Sequence, residues 1–202
     1  MAEILSQMLS GDDIRKFLGY EIPIFTTPML YKLNNIDQIF FNEHGDKFND
    51  ALLLYQQSNS NTGVVGHWTV VKRLDSNNIV HFDSYGMWPD KQLEHIEMSY
   101  RKRTNQVIKY LSKLLVKSTY KNIHYNNHRL QNYWRMLPSK SGAGDIKVQV
   151  NTCGRHCICY IKSNKEPESY YQMMKTLKNK VEDVIDGYTT YDELVCGMTI
   201  SI

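Results

Sequence analysis

The sequence predicts an α+β domain with a central mixed or antiparallel sheet flanked by helices. Two observations carry that expectation. Runs rich in β-branched and aromatic residues lie close together at 63–73 and 79–85, with a turn cluster between them. Apolar residues at helical spacing stand on both sides of that block, near 14–18 and from 153 onward. A chain of 202 residues can bury one substantial core, and residues 1–202 are read as a single domain.

Ser10, Gly11, Asp12 and Asp13 offer caps ahead of Ile14, Phe17 and Leu18, and Gly19 offers a stop, so a short amphipathic helix is expected there. Residues 20–35, with Pro23 and Pro28, read as an irregular linker. GVVGHWTVVKR (63–73) and IVHFDSY (79–85) read as strands, and the Asp75–Asn78 turn pairs them as a hairpin. From Pro89 to Leu115 a long helix is expected, with Val107, Leu111 and Leu114 as its apolar stripe, widened by Ile108 and Leu115. NIHYN (122–126) reads as a further strand, and 132–148 as a loop or hairpin excursion with its tip at Ser139–Asp145. Asn151 and Thr152 cap a helix starting near Cys153; the tail from Glu166 is helical, with a capping box at Thr190–Glu193.

Composition excludes several classes. No run approaches the roughly 18 apolar residues of a membrane span. The first residues reach acids by position 13, without the apolar core of a secretion signal. The four cysteines are Cys153, Cys157, Cys159 and Cys196; three within seven residues do not make a disulfide framework, and a reducing compartment is expected. A net charge of +3 is too mild to imply a nucleic-acid or membrane partner by itself. One local exception is the basic stretch 101–121, expected as a helix, in which Lys109, Lys113 and Lys117 recur every four residues after Arg101, Lys102 and Arg103. A solvated face explains it; a weak nucleic-acid contact is the sharper reading.

Chemistry is concentrated in NTCGRHC, 151–157. A cysteine at the first turn of a helix meets unpaired backbone N–H groups and the positive end of the helix dipole, which favour a thiolate. Gly154 is read as leaving room for a substrate backbone. His67 in the first strand and Asp83 in the second can meet across the hairpin, the carboxylate fixing the imidazole's tautomer. An acid inside an apolar strand calls for such a partner. Two glutamines compete as oxyanion donor beside the Cys153 backbone N–H: Gln131 and Gln149.

The order His, Asp, Gln, Cys-Gly resembles the adenovirus maturation protease (adenain-type) family, whose relatives include proteases that remove SUMO and other ubiquitin-like modifiers. GHW, FDSYG, YNNHRLQ and NTCGRHC, together with the opening LSGDDIRKFLG and the closing YDELV, are most similar to virophage, Polinton-type transposon and giant-virus members. The resemblance implies a papain-like cysteine protease fold with His67 as general base, Asp83 as its orienting acid and Cys153 as nucleophile. Family spacing favours Gln149, four residues before the cysteine; the strand-end context YN..RLQ favours Gln131, with an inserted loop between it and Cys153. Gln131 is slightly preferred. The resemblance further implies a maturation endopeptidase that cleaves capsid or other virion precursors, in the virion and the host cytoplasm. Separately, a monomer without cofactor, metal or membrane contact is expected. A deconjugating protease and an inactive basic virion module are the alternatives.

Other residues receive blander readings. Cys157 and Cys159 are read as helix core, His156 as surface or packing, His81 as a sheet-face residue, and Trp68 as packing or cleft wall. A zinc site from Cys153, His156, Cys157 and Cys159 is disfavoured, since position 159 leaves the shared helical face.

Overall fold

The computed structural model describes residues 2–60, 63–139 and 144–200; within these, the side chains of 58–60 and 63–65 are left aside. The elements run α1 (Ala2–Ser6), α2 (Gly11–Leu18), β1 (Ile24–Thr26), β2 (Asp50–Ser60), β3 (Gly63–Arg73), β4 (Asn78–Phe82), α3 (Met98–Arg103), α4 (Tyr110–Val116), β5 (Asn122–Tyr125), β6 (Trp134–Pro138), β7 (Asp145–Gln149), α5 (Cys153–Ser163), α6 (Pro167–Ile185) and α7 (Tyr191–Met198). Strands β1 to β5 form one mixed sheet in sequence order. Both outer pairs are parallel, and β2–β3–β4 is antiparallel. Strands β6 and β7 form a separate ribbon. The chain is thus α+β, with a five-stranded mixed sheet and helices.

Side-chain alternation divides the core in two. Leu52, Leu54, Trp68, Val70, Val80 and Phe82 pack with apolar residues of α2, α5, α6 and α7. Ala51, Leu53, Tyr55, Val71 and Ile79 pack with α3, α4 and the turns around Ile36–Phe40. Period-two alternation in strands buried on both faces makes each strand serve both clusters.

Local signals placed several boundaries. Ser10 caps α2 in a reciprocal box with Asp13, and Gly19 ends it at φ +82°. Thr190 and Glu193 form the corresponding box on α7. The 63–73 strand has the expected bounds, and the ribbon β6–β7 occupies the expected excursion; most of its tip, 140–143, lies outside the described residues.

Four expectations need correction. Residues 20–35 are not merely a linker: β1 joins the sheet edge and Thr27–Lys32 forms a 3-10 turn. The second strand stops at Phe82, so Asp83 stands one residue past its end. The tail from Glu166 is two helices, separated where Asp186 ends α6 at φ +47°. The long helix Pro89–Leu115 does not exist. It is divided into a 3-10 turn at Lys91–His95, α3, an irregular turn and α4.

The division of that helix has a long-range cause. The Gln106 amide donates to the Gln56 carbonyl at 2.9 Å and accepts from the Gln56 N–H at 3.2 Å, beside a register shift in β2. It also bonds Thr27 and Thr104. A helix continuing through 104–109 would forfeit these buried bonds, and Asn105 turns into the left-handed region, φ +56°, to allow them. The basic stretch 101–121 is therefore not one helix. Arg101 is buried, donating to the Gln106 and Val107 carbonyls, and Lys109 pairs with Glu94. Val107 and Ile108, assigned to the apolar stripe, are exposed, whereas Leu111, Leu114 and Leu115 are buried.

Candidate active site

His67 lies on the central strand β3, opposite Tyr55 of β2. Its neighbour Gly66 is obligatory: a Cβ there would stand 2.2 Å from the Tyr55 carbonyl oxygen. This close approach of two backbones sets the depth at which the imidazole sits. Just past β4, the Asp83 carboxylate faces the ring, with Oδ1 2.9 Å from His67 Nε2. Both side chains are sealed from solvent.

Asp83 is held from every side. Its Oδ1 also accepts from the Tyr85 N–H at 2.8 Å, and its Oδ2 accepts from the Gln92 amide at 3.0 Å. Its backbone N–H donates to Asn126 Oδ1 at 2.7 Å, and the Asn126 amide donates back to the Asp83 carbonyl. A buried carboxylate with this many donors stays ionised. Burial acts to raise its pKa, yet the His67 charge and these hydrogen bonds hold it below the usual carboxylate range. For His67, burial acts to push the imidazole down; the Asp83 carboxylate, with smaller help from Cys153, raises it instead to about 10.

The Cys153 side chain stands near enough to the His67 ring to help raise its pKa. Cys153 opens α5, whose cap residue Thr152 makes no side-chain bond to the helix's own first turn. Cys153, His67, Gln131, Gln149, Tyr85 and Tyr133 line one cleft of about 260 Å³. The structure thus brings together all five residues singled out from the sequence, Asp83 from behind the imidazole.

The two glutamines differ in how they are held. Gln131 is buried; its Oε1 accepts from the Ser84 hydroxyl at 2.6 Å and its Nε2 donates to the Val150 carbonyl at 3.2 Å. Its backbone N–H also bonds the Ser84 carbonyl, next to Asp83. One amide proton remains beyond the Val150 bond. Gln149 ends β7 and is exposed on the cleft rim, with no side-chain hydrogen bond among the described residues.

Two readings change, those of Gly154 and His156. Gly154 does not face the cleft: its missing Cβ would stand 3.2 Å from Leu9 and 3.4 Å from Ile14, so the glycine admits the N-terminal segment against α5 rather than a substrate. Trp68 lies in the core and donates its indole N–H to the Leu9 carbonyl at 2.9 Å. His156 is neither on the surface nor simply packed; it is buried, 3.2 Å from Asp192. Cys157 and Cys159 belong to the core. His81 is buried, and burial pushes its imidazole down to about 4, so it stays neutral at pH 7. Among the described residues no group of three His, Cys, Asp or Glu side chains could hold a metal ion.

Sequence patterns did not single out Gln92, Asn126, Tyr85 or Tyr133. Tyr85 stacks on His67, with ring centroids 4.7 Å apart; Tyr133 stacks on Tyr85 at 4.4 Å; Arg129 covers Tyr133 at 4.7 Å. Position inside FDSYG and YNNHRLQ was the only available signal for Tyr85 and Asn126; Gln92 and Tyr133 had none.

These features define a class: an α+β protein with a buried carboxylate–imidazole pair set against a cysteine at a helix start. No family model matches the chain. It is 32% identical over 193 residues to "Uncharacterized protein V9" of Sputnik virophage, covering 95% of this chain and 94% of that protein. The chain belongs to the family of this virophage protein. Among the described residues no helix is long and apolar enough to cross a membrane.

Proposed function

We infer that the chain is a cysteine endopeptidase of the adenovirus-maturation type, with a papain-like arrangement of sheet and nucleophile helix, acting on capsid or other virion precursors. One observation carries the reading: the His67 imidazole pairs with the Asp83 carboxylate at 2.9 Å and shares one cleft with the Cys153 thiol. A buried ion pair of this kind is costly to assemble, and perturbed titratable groups at a cleft are a signature of catalysis.

In this mechanism the Cys153 proton already rests on His67, and Sγ attacks a peptide carbonyl carbon as a thiolate. The resulting oxyanion accepts from the Cys153 backbone N–H and from the free amide proton of Gln131. Gln131 is preferred over Gln149 because Ser84 and Val150 fix its amide before substrate arrives. His67 then passes its proton to the leaving amine as the C–N bond breaks, leaving a thioester. Water, deprotonated by the same imidazole, hydrolyses the thioester and frees the new carboxyl end and Sγ. Asp83 keeps the ring oriented and stabilises its charged form throughout.

The experiment is co-expression with a virophage major capsid precursor, with the cut mapped by mass spectrometry. Cleavage at a defined bond that vanishes in Cys153→Ala supports the reading. An uncut precursor panel together with cleavage of ubiquitin-like conjugates would transfer the assignment to a deconjugating protease.

A further inference from the structure

We propose that Asp192 is a positioning residue for the reaction proposed above: its carboxylate clamps the segment carrying Cys153 to the segment carrying Gln131 and thereby sets the spacing of the two oxyanion donors. The inference rests on that reading of the cleft.

Asp192 is the second residue of α7, and its own helix does not need it, because Thr190 and Glu193 supply the capping box. Its side chain turns inward and is buried. There Oδ1 accepts from the Thr152 hydroxyl at 2.5 Å and faces His156 Nε2 at 3.2 Å. Oδ2 accepts from both the backbone N–H and the side-chain amide of Asn132, each at 3.0 Å. Thr152 immediately precedes Cys153, and Asn132 immediately follows Gln131. His156 stands one turn after Cys153 on α5. One carboxylate thus grips, by four donors, both chain segments that carry the proposed oxyanion donors.

The grip has a second consequence. A threonine before a helix ordinarily turns its oxygen onto the N–H groups of the first turn. Here the Thr152 hydroxyl donates to Asp192 and makes no cap bond to α5. The residue before the nucleophile is thereby tied to α7 instead of to its own helix, while the Cys153 N–H, which lies ahead of the N–H groups a cap would reach, is free for the oxyanion. Asp192 therefore fixes the placement of Cys153 relative to Gln131. Burying a carboxylate away from its own helix is a cost that surface placement would avoid; a positioning role accounts for it.

The test compares wild type, Asp192→Asn, Thr152→Val and Thr152→Ser in the full chain. Three readouts are taken: kcat and KM on a fluorogenic Gly-Gly-coumarin peptide, affinity for the matching peptide aldehyde, and the rate of Cys153 alkylation by iodoacetamide. The aldehyde adds Sγ to its carbonyl carbon and places an oxygen between the two donors; iodoacetamide uses neither donor. Misplaced donors should lower kcat on the order of 10–100-fold, with KM within about threefold and aldehyde affinity falling in parallel with kcat, while alkylation stays within about twofold. Thr152→Ser, which restores the hydroxyl, should recover most of what Thr152→Val loses. Wild-type kcat and aldehyde affinity in both Asp192→Asn and Thr152→Val would overturn the role of Asp192 and leave the protease reading standing. So would equal losses in alkylation, kcat and aldehyde affinity, the mark of a merely structural residue. A wild-type chain that neither cleaves the peptide nor binds the aldehyde would instead overturn the protease reading, and the clamp with it.

Discussion

His67 Nε2 and Asp83 Oδ1 lie 2.9 Å apart, both side chains almost wholly buried behind the cleft. Neither partner could be buried there alone at an ordinary cost. The imidazole needs the carboxylate to carry a proton, and the carboxylate needs the imidazolium, the Gln92 amide and the Tyr85 N–H to stay ionised.

Folding stability should therefore depend on pH in two directions. His67 is raised from 6.5 to about 10, so its contribution is complete below about 6.5 and is lost as pH rises toward 10. The slope in that window reaches about 1.4 kcal/mol per pH unit. Asp83 is lowered, so its contribution is present above 3.8 and is lost as pH falls through its folded value. Urea unfolding from pH 6 to 10 should show the midpoint falling in wild type and a flatter profile in Asp83→Asn. The variant should lose about 3 kcal/mol at pH 6.5; parallel profiles would contradict the pairing.

The four cysteines should differ sharply in reactivity. Burial raises Cys157 well above an ordinary thiol, Cys159 to about 12 and Cys196 to about 11. Cys153 alone among them lines the cleft. Low-dose iodoacetamide at neutral pH, read by peptide mass spectrometry, should label Cys153 first by at least about tenfold. Equal labelling of Cys153 and Cys196 in the folded protein would remove the basis for a nucleophile.

The glutamines give a third test. Gln131→Ala should lower kcat by about 10²–10³, the cost of one oxyanion donor. Gln149→Ala, on the exposed rim, should change it by less than about fivefold, since a mobile donor contributes little before the transition state. The reverse order of losses would exchange the two assignments.

Gly66→Ala should be damaging without touching any charged group. A methyl group 2.2 Å from the Tyr55 oxygen and 2.8 Å from Leu54 must push β3 away from β2. A loss of about 2–3 kcal/mol in denaturant unfolding is expected, together with weaker alkylation of Cys153 because His67 moves with the strand. An unchanged midpoint would mean the two strands can part without cost.

Much of this arrangement is written locally. Ser10, Asp13 and Gly19 bound α2 because caps act within one turn. The β-branched run at 63–73 forms its strand within the expected limits, and the turn at Asp75–Asn78 pairs it with β4. Local order also puts Cys153 at a helix start, His67 within β3 and Asp83 just past β4. By contrast β2 carries Ala-Leu-Leu-Leu after its opening Asp50, which suits a helix as well as a strand. It becomes a strand because the sheet needs it between β1 and β3.

What the sequence by itself determined is the inventory and its order: a histidine in one strand, an acid at the end of the next, two glutamines, and then a cysteine at a helix start. Only the tertiary structure decided which partners each one meets. Gln106 broke an apparently continuous helix by reaching 50 residues back to Gln56. Ser84 and Val150 fixed Gln131 while Gln149 stayed on the rim. Asp192 drew Thr152 and Asn132 together from 40 and 60 residues away. Caps and strand propensities are local and can be read along the chain. A buried polar group instead takes its hydrogen bonds from whichever segments the completed fold brings alongside, and no local spacing encodes that choice.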